Sequence, residues 1–191
     1  MRTGGCAHFG GGAAGLFCAR EAAGRGLRVA LLERAAVPGR KLAVSGGGKA
    51  NFTNRGITPR DYHSHRDGTF SVPALAAFRP EDMLSLVRAW NLPVEERTHG
   101  QLFLTVPAQR LVQALVRDCR DRGCRLVCGA TVTSVSHDGE GFSVEAGGRA
   151  FGAAKPWYWR WAARPAAGGR QRLRLQAGPR AWGHTVIPPR P

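Results

Sequence analysis

The chain has 191 residues, 43% of them hydrophobic, with a formal net charge of +15 and five cysteines. This length suffices for one substantial core, or for one domain and part of another. The sequence has no apolar run of about eighteen residues and no charged-then-apolar leader, so we expect neither a transmembrane helix nor a secretory signal. The odd number and irregular spacing of the cysteines argue against a disulfide framework and a zinc site. They favour reduced thiols in the cytoplasm, with a redox-active thiol as the alternative.

The first chemical motif is a glycine-rich segment near the amino terminus. Gly10, Gly12 and Gly15 match the pattern G-x-G-x-x-G. In a dinucleotide-binding fold the first glycine makes the tight turn, the second lets the backbone approach a pyrophosphate, and the third lets the helix pack closely on the sheet. We therefore predict that this segment, with Ala13 and Ala14, binds a pyrophosphate at the start of a helix.

The flanks of this motif predict a β-α-β unit with a weak first strand. Residues 1–9 contain two glycines and no Val or Ile, which is unusual for a buried parallel strand. Residues 13–23 predict a helix and residues 27–32 a second strand, after which come Glu33 and Arg34. An acid at this point can bind the ribose hydroxyls of an adenosine. The alternative is a glycine-rich loop before an ordinary helix.

Residues 38–54 form the second motif, with the sequence PGRKLAVSGGGKANFTN. Its basic pair, Arg40-Lys41, can bind a phosphate, or the pair is exposed to solvent and binds no ligand. Its small residues leave backbone N–H groups open to a flat cofactor. Asn51 and Thr53 can donate to flavin heteroatoms, or they only fix a turn. The predicted cofactor-binding residues of this stretch are Arg40, Lys41, Ser45, Gly46, Gly47 and Asn51.

This stretch closely resembles the motif P-G-[RK]-K-L-x-[IV]-S-G-G-G-R-C-N-x-T-N of the YhiN/BaiN-like flavoproteins. Residues 98–103 and 183–191 are also similar to that family, so the resemblance covers roughly residues 9–150 and 180–191. The resemblance implies a Rossmann-like α/β FAD-binding domain of the glutathione-reductase type, with a parallel sheet and a small antiparallel hairpin crossover. It implies an oxidoreductase with FAD as cofactor, NAD(P)H as electron donor and a small-molecule substrate. It also places the backbone near Val132 against the adenine; the alternative is a strand residue in the core.

The chain departs from the family motif at two positions. Ala50 stands where the family frequently has cysteine, and Lys49 stands where it has arginine. Any role of that thiol near the flavin is therefore absent here.

The middle of the chain predicts alternating helices and short strands. Apolar residues recur at helical spacing in residues 80–90 and 107–122, whereas residues 57–72 are polar and irregular. Strands are predicted at 92–94, 101–106, 125–128, 131–136 and 142–145. Asp138-Gly139 predicts a hairpin turn between the last two strands.

The positive charge is concentrated towards the end of the chain. Residues 146–191 hold nine Arg or Lys and no acid, whereas residues 1–145 carry 19 basic and 13 acidic side chains, a net of +6. Residues 155–161 alternate aromatic and basic side chains, which predicts contact with single-stranded nucleic acid. An irregular tail without a binding site is the alternative that we favour.

The family resemblance implies an apolar strand near residues 155–165, which this Trp- and Arg-rich sequence does not supply. A segment of unrelated composition between matching flanks suggests a local reading-frame shift. We predict an FAD-binding domain at 1–152, an atypical basic segment at 153–181, and the start of a second, missing half at 182–191.

Three functions follow for the chain. It is an FAD-binding oxidoreductase fragment, a basic nucleic-acid-binding module, or an inactive truncated product. The flavin carries the hydride chemistry in such enzymes, so we expect no Ser-His-Asp set. The sequence assigns no catalytic acid or base, and we predict no metal ligand. His63 and His65 alternate in a polar loop and are predicted to be surface residues.

Overall fold

The computed structural model describes residues 5–62, 69–137 and 141–153. The chain divides into two compact units, residues 1–38 with 119–191, and residues 39–118. We call the first the sheet unit and the second the insert unit. The predictions for residues 154–191, for His63 and His65 and for the Asp138-Gly139 turn lie outside the described residues.

The helices and strands follow one another in the order that the sequence predicts, with three additions. In chain order they are β1 (Gly5–Phe9), α1 (Ala13–Gly24), β2 (Arg28–Glu33), β3 (Asn51–Asn54), α2 (Val72–Ala77), α3 (Pro80–Ala89), β4 (Val94–Glu96), β5 (Gln101–Leu104), α4 (Gln109–Asp121), β6 (Arg125–Cys128), β7 (Val132–His137), β8 (Phe142–Ala146) and β9 (Arg149–Ala153). The additions are β3, α2 and β9, each of six residues or fewer. Segments this short carry too little periodicity to be recognised from the sequence.

A three-stranded parallel sheet forms the centre of the sheet unit, in the order β1-β2-β6. The first strand forms despite its weak composition, because it pairs along its whole length with the apolar strand β2. The strand also contributes to the interior, since Ala7 and Phe9 are both buried. Pairing with a strong neighbour has thus outweighed the low strand propensity of this segment.

An antiparallel meander, β7-β8-β9, packs on this sheet and extends the predicted hairpin by one strand. Gly147 and Gly148 connect β8 to β9 with φ angles of 55° and 71°. Positive φ at both central residues is the conformation that suits a tight hairpin. The shared core consists of Phe9, Leu32, Ala130, Val144 and Ala146.

The insert unit contains a small antiparallel sheet in the order β3-β5-β4 together with α3 and the greater part of α4. An acidic side chain caps the amino-terminal end of α3: the Arg79 backbone N–H donates to Asp82 Oδ2 over 2.8 Å. The core of this unit is built from Ala50, Val87, Leu92, Leu104, Ala108, Leu111 and Ala114.

The five cysteines are all free thiols. Burial raises the pKa of the Cys124 thiol to about 11, so this residue stays protonated at neutral pH. Among the described residues, no helix is long and apolar enough to cross a membrane.

Candidate dinucleotide-binding site

The glycine-rich turn lies at the carboxyl end of the parallel sheet, between β1 and α1. The Gly10 backbone N–H donates to the Leu32 carbonyl over 2.8 Å, which fastens the turn to the end of β2. Ligands of open α/β sheets bind outside the carboxyl ends of the strands. The turn therefore occupies the edge where a nucleotide is expected.

The three motif glycines are present for different physical reasons. Gly10 has a φ of +90°, a conformation that side-chain-bearing residues rarely adopt. A Cβ on Gly15 would lie 1.9 Å from the Gly10 carbonyl oxygen, so the helix could not approach the turn with any side chain there. Gly12 has an ordinary φ of −77°, and a Cβ on it would meet nothing within 4 Å. Contacts within the chain explain Gly10 and Gly15, but they do not explain Gly12.

The start of α1 offers free hydrogen-bond donors beside Gly12. The Leu16 N–H bonds to the Gly12 carbonyl over 2.9 Å, so the N–H groups of Ala13, Ala14 and Gly15 have no intrahelical acceptor. No side chain caps this end of the helix, and its first turn contains no acid. These donors and the positive end of the helix dipole suit an anion such as a pyrophosphate.

Glu33 lies at the end of β2, with both carboxylate oxygens bound to backbone N–H groups. Its Oε1 accepts from Ala35 N–H over 2.7 Å, and its Oε2 accepts from Gly11 N–H in a short hydrogen bond. The carboxylate is therefore held in one orientation beside the glycine turn. Each oxygen keeps further lone-pair capacity, which can accept from ribose hydroxyls.

Gly11 is the site residue that sequence reasoning missed, although it sits inside the motif. It is buried, and a Cβ on it would lie 2.9 Å from the Cβ of Pro38. The motif treats this position as variable, so only the structure shows that it binds Glu33.

The segment that leads into β7 reaches the same edge of the sheet. Gly129 N–H donates to the Ala35 carbonyl over 3.0 Å, and Ala130 N–H donates to the Glu33 carbonyl over 2.9 Å. Val132 then begins β7, and its half-buried side chain packs on the core of the sheet unit. Several predicted residues thus belong to one region, with Arg34 exposed next to Glu33: Gly10, Gly12, Ala13, Ala14, Gly15, Glu33 and Val132.

The other predicted residues lie in the insert unit, at its beginning. Arg40 and Lys41 are exposed, and a 3-10 segment, Leu42–Gly48, follows them. The Ser45 hydroxyl donates to the Leu42 carbonyl over 2.7 Å, and helical geometry breaks at Ser45, Gly46 and Gly47. Ser45 is thereby engaged in fixing its own turn.

Asn51 opens β3 and is exposed. With its amide nitrogen turned towards acceptors, it donates to the carbonyls of Thr53 and Leu102 over 3.1 and 3.2 Å. The side chain therefore stabilises the junction of β3 with β5, which agrees with the structural alternative for this residue.

Comparison with known proteins gives the relationship of the chain to a family. Residues 7–155 match the family model described as HI0933-like protein Rossmann domain. The chain belongs to this family. The match confirms the resemblance to the YhiN/BaiN-like FAD-binding proteins and the Rossmann-like α/β fold.

Two curated relatives are called ribosomal RNA dihydrouridine synthase. The chain is 38% identical over 147 residues to the one from Escherichia coli (strain K12), covering 77% of this chain and 36% of the relative. It is 37% identical over 127 residues to the one from Haemophilus influenzae (strain ATCC 51907 / DSM 11121 / KW20 / Rd), covering 66% of this chain and 31% of the relative. The chain thus spans about a third of the length of these relatives.

Solved structures with the same fold have little sequence in common with the chain. AlpK is 18% identical with a TM-score of 0.53, covering 93% of this chain and 34% of AlpK. CabE, an aromatic hydroxylase from angucycline biosynthesis, is 19% identical with a TM-score of 0.52, covering 92% of this chain and 33% of CabE. These two similarities support the fold alone.

Proposed function

We propose that this chain supplies the FAD-binding part of an oxidoreductase. The observation that carries the proposal is the pairing of an open Gly12 with a Glu33 carboxylate held beside the same turn. Gly12 is exposed and a Cβ on it would meet nothing within 4 Å, so the space beside it leaves room for a pyrophosphate.

Each group of the site has a distinct role in this proposal. The N–H groups of Ala13, Ala14 and Gly15 bind the pyrophosphate, and Glu33 accepts from the adenosine ribose hydroxyls. The backbone at Val132 lies beside the adenine. When FAD is bound, it supplies the hydride-transfer chemistry, which the protein directs by binding and orienting it.

The proposal extends to the flavin side of FAD and to the electron donor. The basic and glycine-rich stretch from Arg40 to Asn51 contacts the flavin side of FAD, and NAD(P)H is the electron donor. A location in the cytoplasm rests on the free thiols.

The names of the two relatives suggest RNA as the substrate, in place of the small molecule expected at first. Those names specify ribosomal RNA and the formation of dihydrouridine. Reduction of a uridine double bond adds a hydride and a proton, which is chemistry that a reduced flavin can supply. We therefore propose that the whole protein reduces uridine in RNA.

The proposal is tested by titrating the purified chain with FAD and following the flavin fluorescence. We expect saturable binding, and an affinity that falls at least tenfold in Glu33→Ala, because charge-assisted hydrogen bonds to the ribose contribute about 1.5–3 kcal/mol each. Glu21→Ala, which removes a partly exposed acid further along α1, should bind FAD like the parent.

A thermal melt of each variant separates loss of the site from loss of the fold. A parent chain that binds no FAD while fully folded would contradict the proposal. Equal FAD affinity in the parent and Glu33→Ala would remove Glu33 from the site.

A further inference from the structure

The insert unit contains a cavity that none of the predicted cofactor residues lines. Its volume is about 260 Å³. The turn after α3 forms one wall with Trp90, Asn91 and Leu92, and α4 forms the other with Arg110, Gln113 and Arg117. We call it the arginine cavity.

The arginine cavity is cationic. Arg110 and Arg117 are seven residues apart on α4, which places them on one face about 10 Å apart along the axis. Neither guanidinium forms an ion pair with another described residue, and no acid is among the residues that line the cavity. Asp118, the residue after Arg117, accepts a hydrogen bond from Trp90 Nε1 over 3.1 Å.

The starts of the two helices differ in a way that adds to this positive charge. The first turn of α3 carries Glu81 and Asp82, as the helix dipole favours. The first turn of α4 carries Arg110 and no acid, so charge and dipole repel each other there. A cation placed against the dipole weakens the helix and strengthens the local attraction for anions.

The end of α3 does not need these arginines as a cap. Its last carbonyls are already bound, since Asn91 N–H donates to Arg88 over 2.8 Å and Leu92 N–H donates to Val87 over 3.3 Å. Asn91 takes a φ of +56° to close this turn, in the pattern of a Schellman motif. Among residues 5–62, 69–137 and 141–153, neither Arg110 nor Arg117 therefore has an ion-pair partner or a capping role that explains its position.

The geometry points to a docking site for the phosphodiester backbone of single-stranded RNA. Two guanidinium groups two helical turns apart can each bind a phosphate. Trp90 also lines the cavity and is half-buried against the core of the insert unit. Its Nε1 donates to Asp118, which fixes the ring, and a base can stack on the part of the indole that stays accessible. This inference rests on the proposed function, because the RNA substrate is itself part of that proposal.

The test measures binding of a fluorescein-labelled single-stranded oligoribonucleotide by anisotropy over a range of salt concentrations. The double variant Arg110→Gln/Arg117→Gln should bind roughly tenfold or more weakly at low salt. Its salt dependence, the slope of log affinity against log salt, should fall by about 1.4, at about 0.7 for each lost phosphate contact.

The matched control is Arg55→Gln/Arg79→Gln, which removes the same charge from two arginines of the insert unit. Arg55 is already paired with Glu96, and Arg79 with Asp82, so RNA affinity should change less than about twofold. Equal losses in both double variants would show an effect of net charge alone and would overturn the inference.

A third variant replaces the arginines of residues 160–180 with glutamine. If it loses RNA binding while Arg110→Gln/Arg117→Gln binds like the parent, the tail is the binding site and the inference is wrong. FAD titration of every variant keeps the two proposals apart. Retained FAD binding with lost RNA binding in Arg110→Gln/Arg117→Gln supports the arginine cavity, and lost FAD binding in the parent contradicts only the cofactor site.

Discussion

The two glycine-rich turns of the molecule differ in what their glycines do. In the sheet unit, Gly15 is required by contact with the Gly10 carbonyl, whereas Gly12 has neither a crowded Cβ position nor an unusual φ. In the insert unit, Gly46 and Gly47 have φ angles of 56° and 65°, so the backbone conformation explains both. Only the first turn therefore contains a glycine that the chain itself does not require.

This difference bears on how a glycine motif is interpreted. A glycine that the fold needs would be kept whether or not a ligand binds. A glycine without a structural reason is what the close approach of a ligand would require, and the proposed FAD site places the pyrophosphate at such a residue, Gly12. The structural support for a cofactor is accordingly stronger at the glycine-rich turn of the sheet unit than at the turn of Ser45, Gly46 and Gly47 in the insert unit.

The largest expected effect is that of Gly15→Ala on stability. A Cβ would lie 1.9 Å from a backbone oxygen, so α1 must move away from the turn. We expect a loss of about 3 kcal/mol in the free energy of unfolding, measured by urea denaturation. Gly24→Ala in the same helix meets only the end of the Arg122 side chain and should cost less than about 1 kcal/mol. Similar losses in both would show that the close approach at Gly15 is not what matters.

Gly46→Ala is the corresponding change in the insert unit. Its Cβ would lie 2.5 Å from the Asn51 nitrogen, at a φ of +56°, so contact and backbone strain add to about 2 kcal/mol. Gly47→Ala has similar strain but open space and should cost about 1 kcal/mol. The difference between the two, from denaturation curves, isolates the contact. If the two variants are equally stable, the turn accommodates the added methyl group.

Gly12→Ser should separate binding from folding. Serine is a favoured N-cap, so stability should stay the same or rise by a few tenths of a kcal/mol. FAD affinity should fall about tenfold, because the side chain fills the open space and competes for the N–H groups at the start of α1. FAD titration together with urea denaturation measures both quantities. Unchanged affinity would mean that the space beside Gly12 is not where the pyrophosphate binds.

The smallest effect concerns His8, in the strand that precedes the first turn. His8 is 4% exposed, its Nδ1 has no hydrogen-bond partner, and burial lowers its pKa below the usual 6.5. Below pH 6.5 the unfolded chain binds a proton that the folded chain does not. This contribution makes the free energy of unfolding decrease as the pH is lowered from 6.5 to the folded-state pKa of His8.

His8→Val should remove this pH dependence and raise stability by about 1 kcal/mol, because it replaces an unsatisfied polar group with an apolar side chain. Denaturation curves between pH 5 and 8, where histidine titrates, provide the measurement. The control is His99→Asn, which changes an exposed histidine whose φ is +60°, a conformation that asparagine tolerates. The pH dependence of stability should remain in this variant. A His8→Val variant with the parent's pH dependence would exclude His8 as its source.

Much of the candidate site could be predicted from the sequence, because its residues recur at a fixed, short spacing along the chain. The glycine spacing and the acid after β2 predicted Gly10, Gly12, Gly15 and Glu33 as one site. The arginine cavity could not be predicted, because Trp90 and Arg117 come together only through the packing of α3 beside α4. A pattern search along the chain has no signal for such a contact.

The sequence by itself determined the β-α-β unit, the class of ligand and the family, since these depend on residue type and on spacing over a few turns. Tertiary structure decided that the weak first segment is a strand, and that Glu33 is bound to Gly11, 22 residues away. It decided these features because parallel pairing of β1 with β2 sets which backbone groups meet at the edge of the sheet. Composition alone does not specify that register.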